Sequence, residues 1–430
     1  MRNRPKILWL NNIVMPEVAP VFGMKAGFAG GWLAGLFKAF KATDVAELTV
    51  VFPRYGQKGV AHAAIEGVNF YGVGIPTAFD VYHQETEMEF RSILETEKPD
   101  MVHIFGTEYP HTLAMVKAFD HPEKTVISIQ GLTSVIQLHY LDGIPMSVSR
   151  SRTFREHINR RGLLFERKKF GRRGVLEAEA IGRVKHVIGR TDWDRACTTQ
   201  MNPNLQYHHC YESLRDSFYD ASWDINKIER NSIFVSQGFY TIKGFHMVLE
   251  AMAKLRRECP DIKLYVAGDS IINPHKKGIK RLLTDRTYPR FIEDLIVQND
   301  LTDHVIFLGN LTESEMRERY LKSHVFVSAS LVENSPNSVG EAALMGVPCV
   351  SSHVGGVAEM IVHYKEGYVY QATAPYMLAY YIQKLLQSDE TCVAFSKASK
   401  EHAKQIYNRD TNGKRLAEIY REILSEKSAK

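Results

Sequence analysis

The sequence predicts an α/β protein of two domains, each a parallel sheet covered by helices on both faces. Short β-branched runs alternate with segments of helical period over most of the chain. Ten such runs can be picked out, more than one compact doubly wound sheet holds within 430 residues. The polar, aperiodic stretch Phe218–Asn231 falls between the two alternating series. These observations divide the chain into Rossmann-like domains at residues 1–220 and 221–402. A helical segment, 403–430, follows. Its Tyr407, Leu416, Ile419, Tyr420 and Ile423 suit packing back on the first domain.

In the first domain, strands are expected at Lys6–Leu10, Leu48–Phe52, Met101–Phe105, Val126–Ile129 and His186–Gly189. In the second they are expected at Ile233–Ser236, Ile262–Ala267, Val305–Leu308, Val325–Ser328 and Val347–Ser351. Gly244–Cys259 reads as a helix because Phe245, Val248, Leu249, Met252 and Leu255 recur at i, i+3, i+4, i+7, and Pro260 stops the run. Near the C-terminal end of the second series, Ser335 suits an N-cap and Pro336 the first helical position. That helix runs to Met345, where Gly346 and Pro348 end it.

Composition excludes whole classes. Apolar residues at 44% and charged residues at 24% rule out fibrous, collagenous and wholly disordered chains. No uncharged apolar run approaches the ~18 residues of a membrane span, and Asn11–Asn12 break the first apolar run too early for a signal peptide. Five scattered cysteines without a Cys-x-x-Cys pair argue against a disulfide framework or structural zinc and for a reducing, cytoplasmic compartment. The net charge is +5, yet Ser149–Arg173 alone carries +8. Phe154, Leu163, Leu164, Phe165 and Phe170 interleave with those charges. Such a stretch, Arg150–Arg173, suits the anionic face of a membrane, and nucleic acid is not expected.

The densest chemical pattern is Glu333 to Gly346, a strand, a loop, a helix start and a second strand. The N–H groups opening a helix at the carboxyl edge of such a sheet bind anions. Glu341 lies one turn after Asn337 and leans back toward the helix start. A carboxylate beside an anion site suits hydroxyls, those of a ribose or a sugar. Glu333, on the loop, can also reach a polyhydroxyl ligand.

The pattern Glu-x7-Glu in ENSPNSVGEAALMGVP resembles the retaining GT-B glycosyltransferases of the glycosyltransferase 4 type. Val235–Asp269, Val305–Ser330, Pro99–Gly106 and Gly189–Asp194 resemble further landmarks of that family in the same order. The resemblance implies two Rossmann-like domains facing across a cleft. It implies transfer of a sugar from a nucleoside diphosphate sugar to a glycan or lipid-linked glycan, with retention of configuration, as in envelope polysaccharide or glycolipid synthesis. Glu333 would contact the transferred sugar, Glu341 the ribose and Lys243, of the Lys-Gly turn, the diphosphate. Backbone groups at Asn337 and Ser338 would meet phosphate or sugar, and Asn310 and Leu311 would lie near the base. In the first domain Gly30 and Gly31 would approach the diphosphate.

Two positions depart from the family. Gln130 stands where a His is frequent, leaving hydrogen bonding as the role of that acceptor-side candidate. Gly238 stands where an Arg is frequent, so a second phosphate partner is either lost or supplied elsewhere, with Arg190 as the candidate. No metal is assigned and no cofactor is required beyond the nucleotide sugar. Asp192-Trp193-Asp194 spells a metal motif of another glycosyltransferase fold, but Thr191 or Asp192 suits a helix cap there. Two other activities fit the same pattern: a nucleotide-sugar epimerase, and a non-catalytic binding protein with a basic membrane-facing surface.

Overall fold

The computed structural model describes residues 4–25, 31–269, 271 and 283–426. The chain forms two compact units. Unit 1 comprises Met1–Gln137, Lys169–Arg215 and Tyr407–Lys430, and unit 2 comprises Leu138–Lys168 and Asp216–Ile406.

The strands of unit 1 are β1 (Lys6–Asn11), β2 (Glu47–Tyr55), β3 (Val60–Ile65), β4 (Val68–Ile75), β5 (Met101–Phe105), β6 (Thr125–Ser128), β7 (His186–Gly189) and β8 (Gln206–His209). They make one sheet in the order β3-β4-β2-β1-β5-β6-β7-β8. All neighbours are parallel except β3, which runs against β4. Unit 2 holds β9 (Ser232–Val235), β10 (Lys263–Ala267), β11 (Val305–Gly309), β12 (Val325–Ser328), β13 (Cys349–Ser352) and β14 (Tyr368–Tyr370). Their order is β11-β10-β9-β12-β13-β14, all parallel. Most central strands are buried along their whole length, which is why they read as unbroken apolar runs. The four strands absent from the sequence reading are β3, β4, β8 and β14. Alanine-rich β3 alternates between exposed and half-buried positions, β8 (Gln-Tyr-His-His) is polar, and β14 has three residues.

The helix expected at Gly244–Cys259 is Phe245–Glu258, with Gly244 and Cys259 as its caps. Its five periodic apolar residues are all buried.

Residues 138–168, placed by the sequence reading within 1–220, group instead with unit 2. The contacts responsible are long-range. The Glu156 carboxylate accepts from Thr287 N at 3.1 Å and from the Thr287 hydroxyl. Thr153 Oγ1 donates to Asp285 O at 2.8 Å, and His246 Nε2 lies 3.0 Å from Asp142 O. Nothing in the local pattern of 138–168 announces these partners.

The last segment divides at Tyr407 rather than at residue 403, because Ala403–Ile406 complete the helix Asp389–Ile406 of unit 2. Beyond it, the helix Arg409–Ser425 buries Leu416, Ile419, Tyr420 and Ile423 in the core of unit 1, among Trp9, Phe40 and Phe105. Tyr420 packs edge-on against Phe40 at 5.1 Å, and its hydroxyl sits 2.5 Å from Nδ1 of the fully buried His103. Burial holds that histidine neutral, with its pKa lowered to about 3. Ser128 Oγ meets its other nitrogen at 2.7 Å. Tyr420→Phe keeps the packing but leaves a buried ring nitrogen without its partner, so it is expected to cost about 1–3 kcal/mol. Tyr420→Ala removes the ring as well and should cost about 3–5 kcal/mol. Urea denaturation of the two variants checks the ordering, and a Tyr420→Phe variant as stable as wild type would show that the hydroxyl contributes nothing.

Candidate active site

In unit 2 the chain builds outward from β9 in one direction through β10 and β11, and from β12 in the other through β13 and β14. The order therefore reverses between β9 and β12. Ligands of open α/β sheets bind beyond the carboxyl ends of the strands at such a reversal. The two segments that follow β9 and β12 carry Lys243 and Glu333.

After β9 the chain makes a single 3-10 turn, Thr241–Lys243, and enters the long helix through Gly244. Gly244 has φ of 64°, in the left-handed region. A Cβ there would meet Ala329 O at 1.9 Å. The Lys-Gly turn is thus pressed onto the residue that follows β12. Leu331 N donates to Ile242 O at 2.8 Å, which ties the two loops by their backbones.

On the β12 side, Ser330 Oγ donates to Glu333 Oε1 at 2.9 Å, and Lys243 Nζ forms an ion pair with the same oxygen. Ser352 Oγ bonds Ser330 O at 2.5 Å, and Gly356 N bonds Asn334 O at 2.9 Å. The loop is held from three sides while the Lys243 and Glu333 side chains keep partial exposure, 25% and 16%. A cation and a carboxylate are therefore presented together at the reversal point.

The helix Asn337–Met345 begins next. Its N-cap is Pro336, not Ser335, and no side chain caps it. Ser335 Oγ lies 3.6 Å from the Met360 sulfur instead. The leading N–H groups, those of Asn337 and Ser338, have no acceptor within the helix. With the helix dipole they favour an anion. Glu341, one turn further, is buried. The wholly buried Tyr320 donates to Ser338 O at 3.1 Å and lies 3.4 Å from Glu341 Oε2. Phe234 and Phe326, each 5.0 Å away, fix its ring. Tyr320 sits on the helix Glu313–Lys322, and only the packing reveals that it positions the first turn around Glu341.

The remaining residues named from the sequence distribute as follows. Asn310 and Leu311 follow β11, the edge strand, and Asn310 Nδ2 bonds Asp269 Oδ1 at 2.5 Å. Gly31 opens the helix Gly31–Lys41 of unit 1, and Gly30 lies outside the described residues. Gln130 follows β6 and donates to Glu212. Arg190 follows β7 and is buried, ion-paired with Glu212 and bonded to Ile129 O at 3.2 Å. The guanidinium is thus engaged with Glu212 within unit 1. Burial raises the Glu212 carboxyl, and the Arg190 charge opposes that rise. At Gly238 a Cβ would come within 3.1 Å of both Phe245 and Val266, so any side chain there requires these neighbours to give by a few tenths of an ångström. Thr191 caps the helix Asp192–Met201, and Asp194 is spent on Arg190 N at 2.9 Å and on the Tyr207 hydroxyl at 2.6 Å. Among the described residues no group of three His, Cys, Asp or Glu could hold a metal ion.

Unit 1 has its own reversal point, between β1 and β5, and there the structure places a carboxylate that sequence reasoning missed. Glu108 is half-buried; it accepts from Asn12 Nδ2 at 2.7 Å and from Gly131 N at 2.9 Å. Burial pushes its carboxyl up to about 7, with nearby Glu177 adding to the rise and Arg173 opposing it. His111, 2.8 Å from Asn12 Oδ1, is driven down to about 3 by burial and by the Arg173 charge. The only available signal was an acidic residue two positions after the strand-ending Gly106.

The sign of the Glu108 effect on stability follows from linkage. Its folded pKa lies above the unfolded value of 4.5, so between about pH 4.5 and 7 the folded chain holds a proton the unfolded chain has released. This group therefore lowers stability as pH rises through that window, by on the order of 2 kcal/mol for a partly solvated carboxyl. Glu108→Gln should remove that slope. Denaturation of both proteins at pH 5 and pH 8 reads it, and parallel pH profiles would exclude the shift.

Residues 217–402 match the family model described as Glycosyl transferases group 1. The GDP-mannose-dependent alpha-(1-6)-phosphatidylinositol monomannoside mannosyltransferase of Mycolicibacterium smegmatis is 24% identical over 184 residues, which cover 41% of this chain and 44% of that protein. The chain spans less than half the length of the first curated relatives it matches. Structural likeness reaches further. Sucrose-phosphate synthase from Thermosynechococcus elongatus aligns with a TM-score of 0.71 at 14% identity, covering 98% of this chain and all of that one. Anabaena Alr3699/HepE, solved in complex with UDP-glucose, aligns with a TM-score of 0.66 at 14% identity, covering 97% of this chain and all of that one. At such identity the likeness is one of fold. Residues 217–402 thus resemble a glycosyl transferases group 1 domain, and the α/β fold of two parallel-sheet units matches that of the GT-B glycosyltransferase structures.

Proposed function

We propose that this chain is a retaining glycosyltransferase that moves a hexosyl group from a nucleoside diphosphate sugar to a glycan or lipid-linked glycan. The observation that carries the reading is the grouping of Lys243, Glu333 and the uncapped start of the helix Asn337–Met345 at the reversal point of unit 2. The UDP-glucose bound by HepE supports a donor of that class. The five cysteines are unpaired, in keeping with a cytoplasmic setting. Among the described residues no helix is long and apolar enough to cross a membrane.

The chemistry asked of the site is charge stabilisation. Breaking the bond to the sugar places a further negative charge on the terminal phosphate of the diphosphate. Lys243, shared with Glu333, and the N–H groups of Asn337 and Ser338 receive that charge, and the N–H groups are already oriented for it, the condition under which electrostatic catalysis is largest. No metal has a part in this reading. Glu341, held by Tyr320, accepts ribose hydroxyls, and Glu333 orients the sugar. The acceptor hydroxyl attacks from the face the diphosphate leaves, with the departing phosphate taking its proton. Asn310 and Leu311 border the base, and Gln130 belongs to the acceptor side.

Thermal unfolding against UDP, GDP, ADP and CMP tests the donor reading, with wild type and Glu341→Ala each compared with its own ligand-free state. A ligand at 100 times its dissociation constant stabilises by about 2.7 kcal/mol, a shift of a few degrees. One nucleoside diphosphate is expected to shift the wild type and to shift the variant much less. No shift with any nucleotide would reject the donor site. Conversion of the matching nucleotide sugar in the absence of acceptor would favour an epimerase instead.

A further inference from the structure

We infer that the segment Met146–Lys168 of unit 2 is a docking surface for an anionic lipid bilayer, inserting apolar side chains between lipid phosphates held by arginines. The observation is a division of the segment into an inward and an outward face. Ser149, Thr153, Glu156 and Leu163 are buried. Thr153 and Glu156 form a reciprocal capping box for the short helix Phe154–Ile158, and Glu156 also accepts from Thr287. One of the segment's two acidic residues is thereby turned inward and used up; the other, Glu166, is half-buried.

The outward face carries large apolar groups. Phe154 and Ile158, one helical turn apart and opposite Glu156, are 48% and 61% exposed. Met146 and Leu164 are exposed beside them in sequence. Arg150, Arg152, Arg160, Arg161 and Lys168 are exposed, and among the described residues none forms an ion pair. The basic stretch defined by sequence is also trimmed by the structure. Lys169, Arg172 and Arg173 belong to unit 1, where Arg172 pairs with Asp80 and Arg173 bonds Glu108 O at 2.6 Å.

Charge complementarity selects the occupant. Five cations favour a polyanion, and three of the four exposed apolar groups are aliphatic. Aliphatic side chains gain nothing from a phosphodiester backbone, whose single strands are read by aromatic stacking. At a bilayer interface both sets are satisfied together, apolar groups in the acyl boundary and cations among headgroups. The surface is rigidly displayed because its inner face is locked to Asp285 and Thr287.

The test is co-sedimentation of the full chain with vesicles of phosphatidylcholine alone or with phosphatidylglycerol added, at low and high salt. The wild type should bind the anionic vesicles only, and more weakly in high salt. Arg160→Glu with Arg161→Glu should weaken binding at least tenfold, and so should Phe154→Ser with Ile158→Ser, each protein keeping the wild-type melting temperature. Phe154→Trp gives an independent readout: its emission, taken as the difference from wild type, should shift to the blue on anionic vesicles. Absence of wild-type binding at low salt, or an unshifted difference emission from the Phe154→Trp variant, would overturn the inference. So would binding that the apolar substitutions leave intact while heparin or single-stranded DNA competes fully, which would make the segment a polyanion site.

Discussion

Lys243→Ala is expected to lower nucleoside diphosphate affinity by ~10–150-fold, while Glu333→Gln leaves it unchanged or tighter. The magnitude comes from charge-assisted hydrogen bonds, which contribute about 1.5–3 kcal/mol each, at about 1.4 kcal/mol per tenfold change. Removing Lys243 also leaves Glu333 without its cation, still held by Ser330 and facing the phosphates. Repulsion then adds to the loss. In Glu333→Gln the opposite holds, since the amide no longer competes with phosphate for the ammonium. Sugar transfer should nevertheless fall in both variants, through donor binding in the first and through turnover in the second. Calorimetric titration with the matching diphosphate, set beside transfer rates, separates the two. If Lys243→Ala binds as well as wild type, Lys243 serves only to hold Glu333.

Gly244→Ala is expected to cost about 3–5 kcal/mol, against about 1 kcal/mol for Gly309→Ala. Both glycines have positive φ, 64° and 71°. They therefore share the penalty of placing an L side chain in the left-handed region. They differ in space. Nothing lies within 4 Å of a Cβ at Gly309, whereas one at Gly244 meets Ala329 O at 1.9 Å. Relief would require the loop after β12 to move, and the Leu331–Ile242 bond would go with it. The same displacement would carry Lys243 and Glu333 out of register. Urea denaturation gives the two losses, and equal values would mean that the Lys-Gly turn is not pressed against its neighbour.

Much of the architecture was legible because buried parallel strands leave an unbroken apolar record. Val325–Ser328, Met101–Phe105 and His186–Gly189 begin and end where their sequences stop being β-branched or apolar. Edge strands leave no such record: β3 and β8 owe their conformation to a neighbour, not to a core. The residues of the unit 2 site were legible for a related reason, since they belong to short local motifs beside strand ends. Tyr320, Glu212 and Glu108 were not. Each acts through a partner tens of residues away, Tyr320 on Glu341, Glu212 on Arg190 and Glu108 on Asn12. Arg190 shows the same limit: its position beyond β7 was evident, but its buried partner was not.

Unit 1 is assembled from three separated stretches, and this fixes the order in which it can be completed during synthesis. Its last strand ends at His209, yet the helix that seals Trp9, Phe40 and His103 begins at Arg409. A ribosome adding ~5–20 residues per second needs roughly 10–40 s to cover that interval. All of the second sheet is translated in the meantime. The first sheet must wait with an apolar face bare, so a nascent chain stalled before residue 409 should be held by chaperones, and a product truncated there should aggregate while its second unit folds.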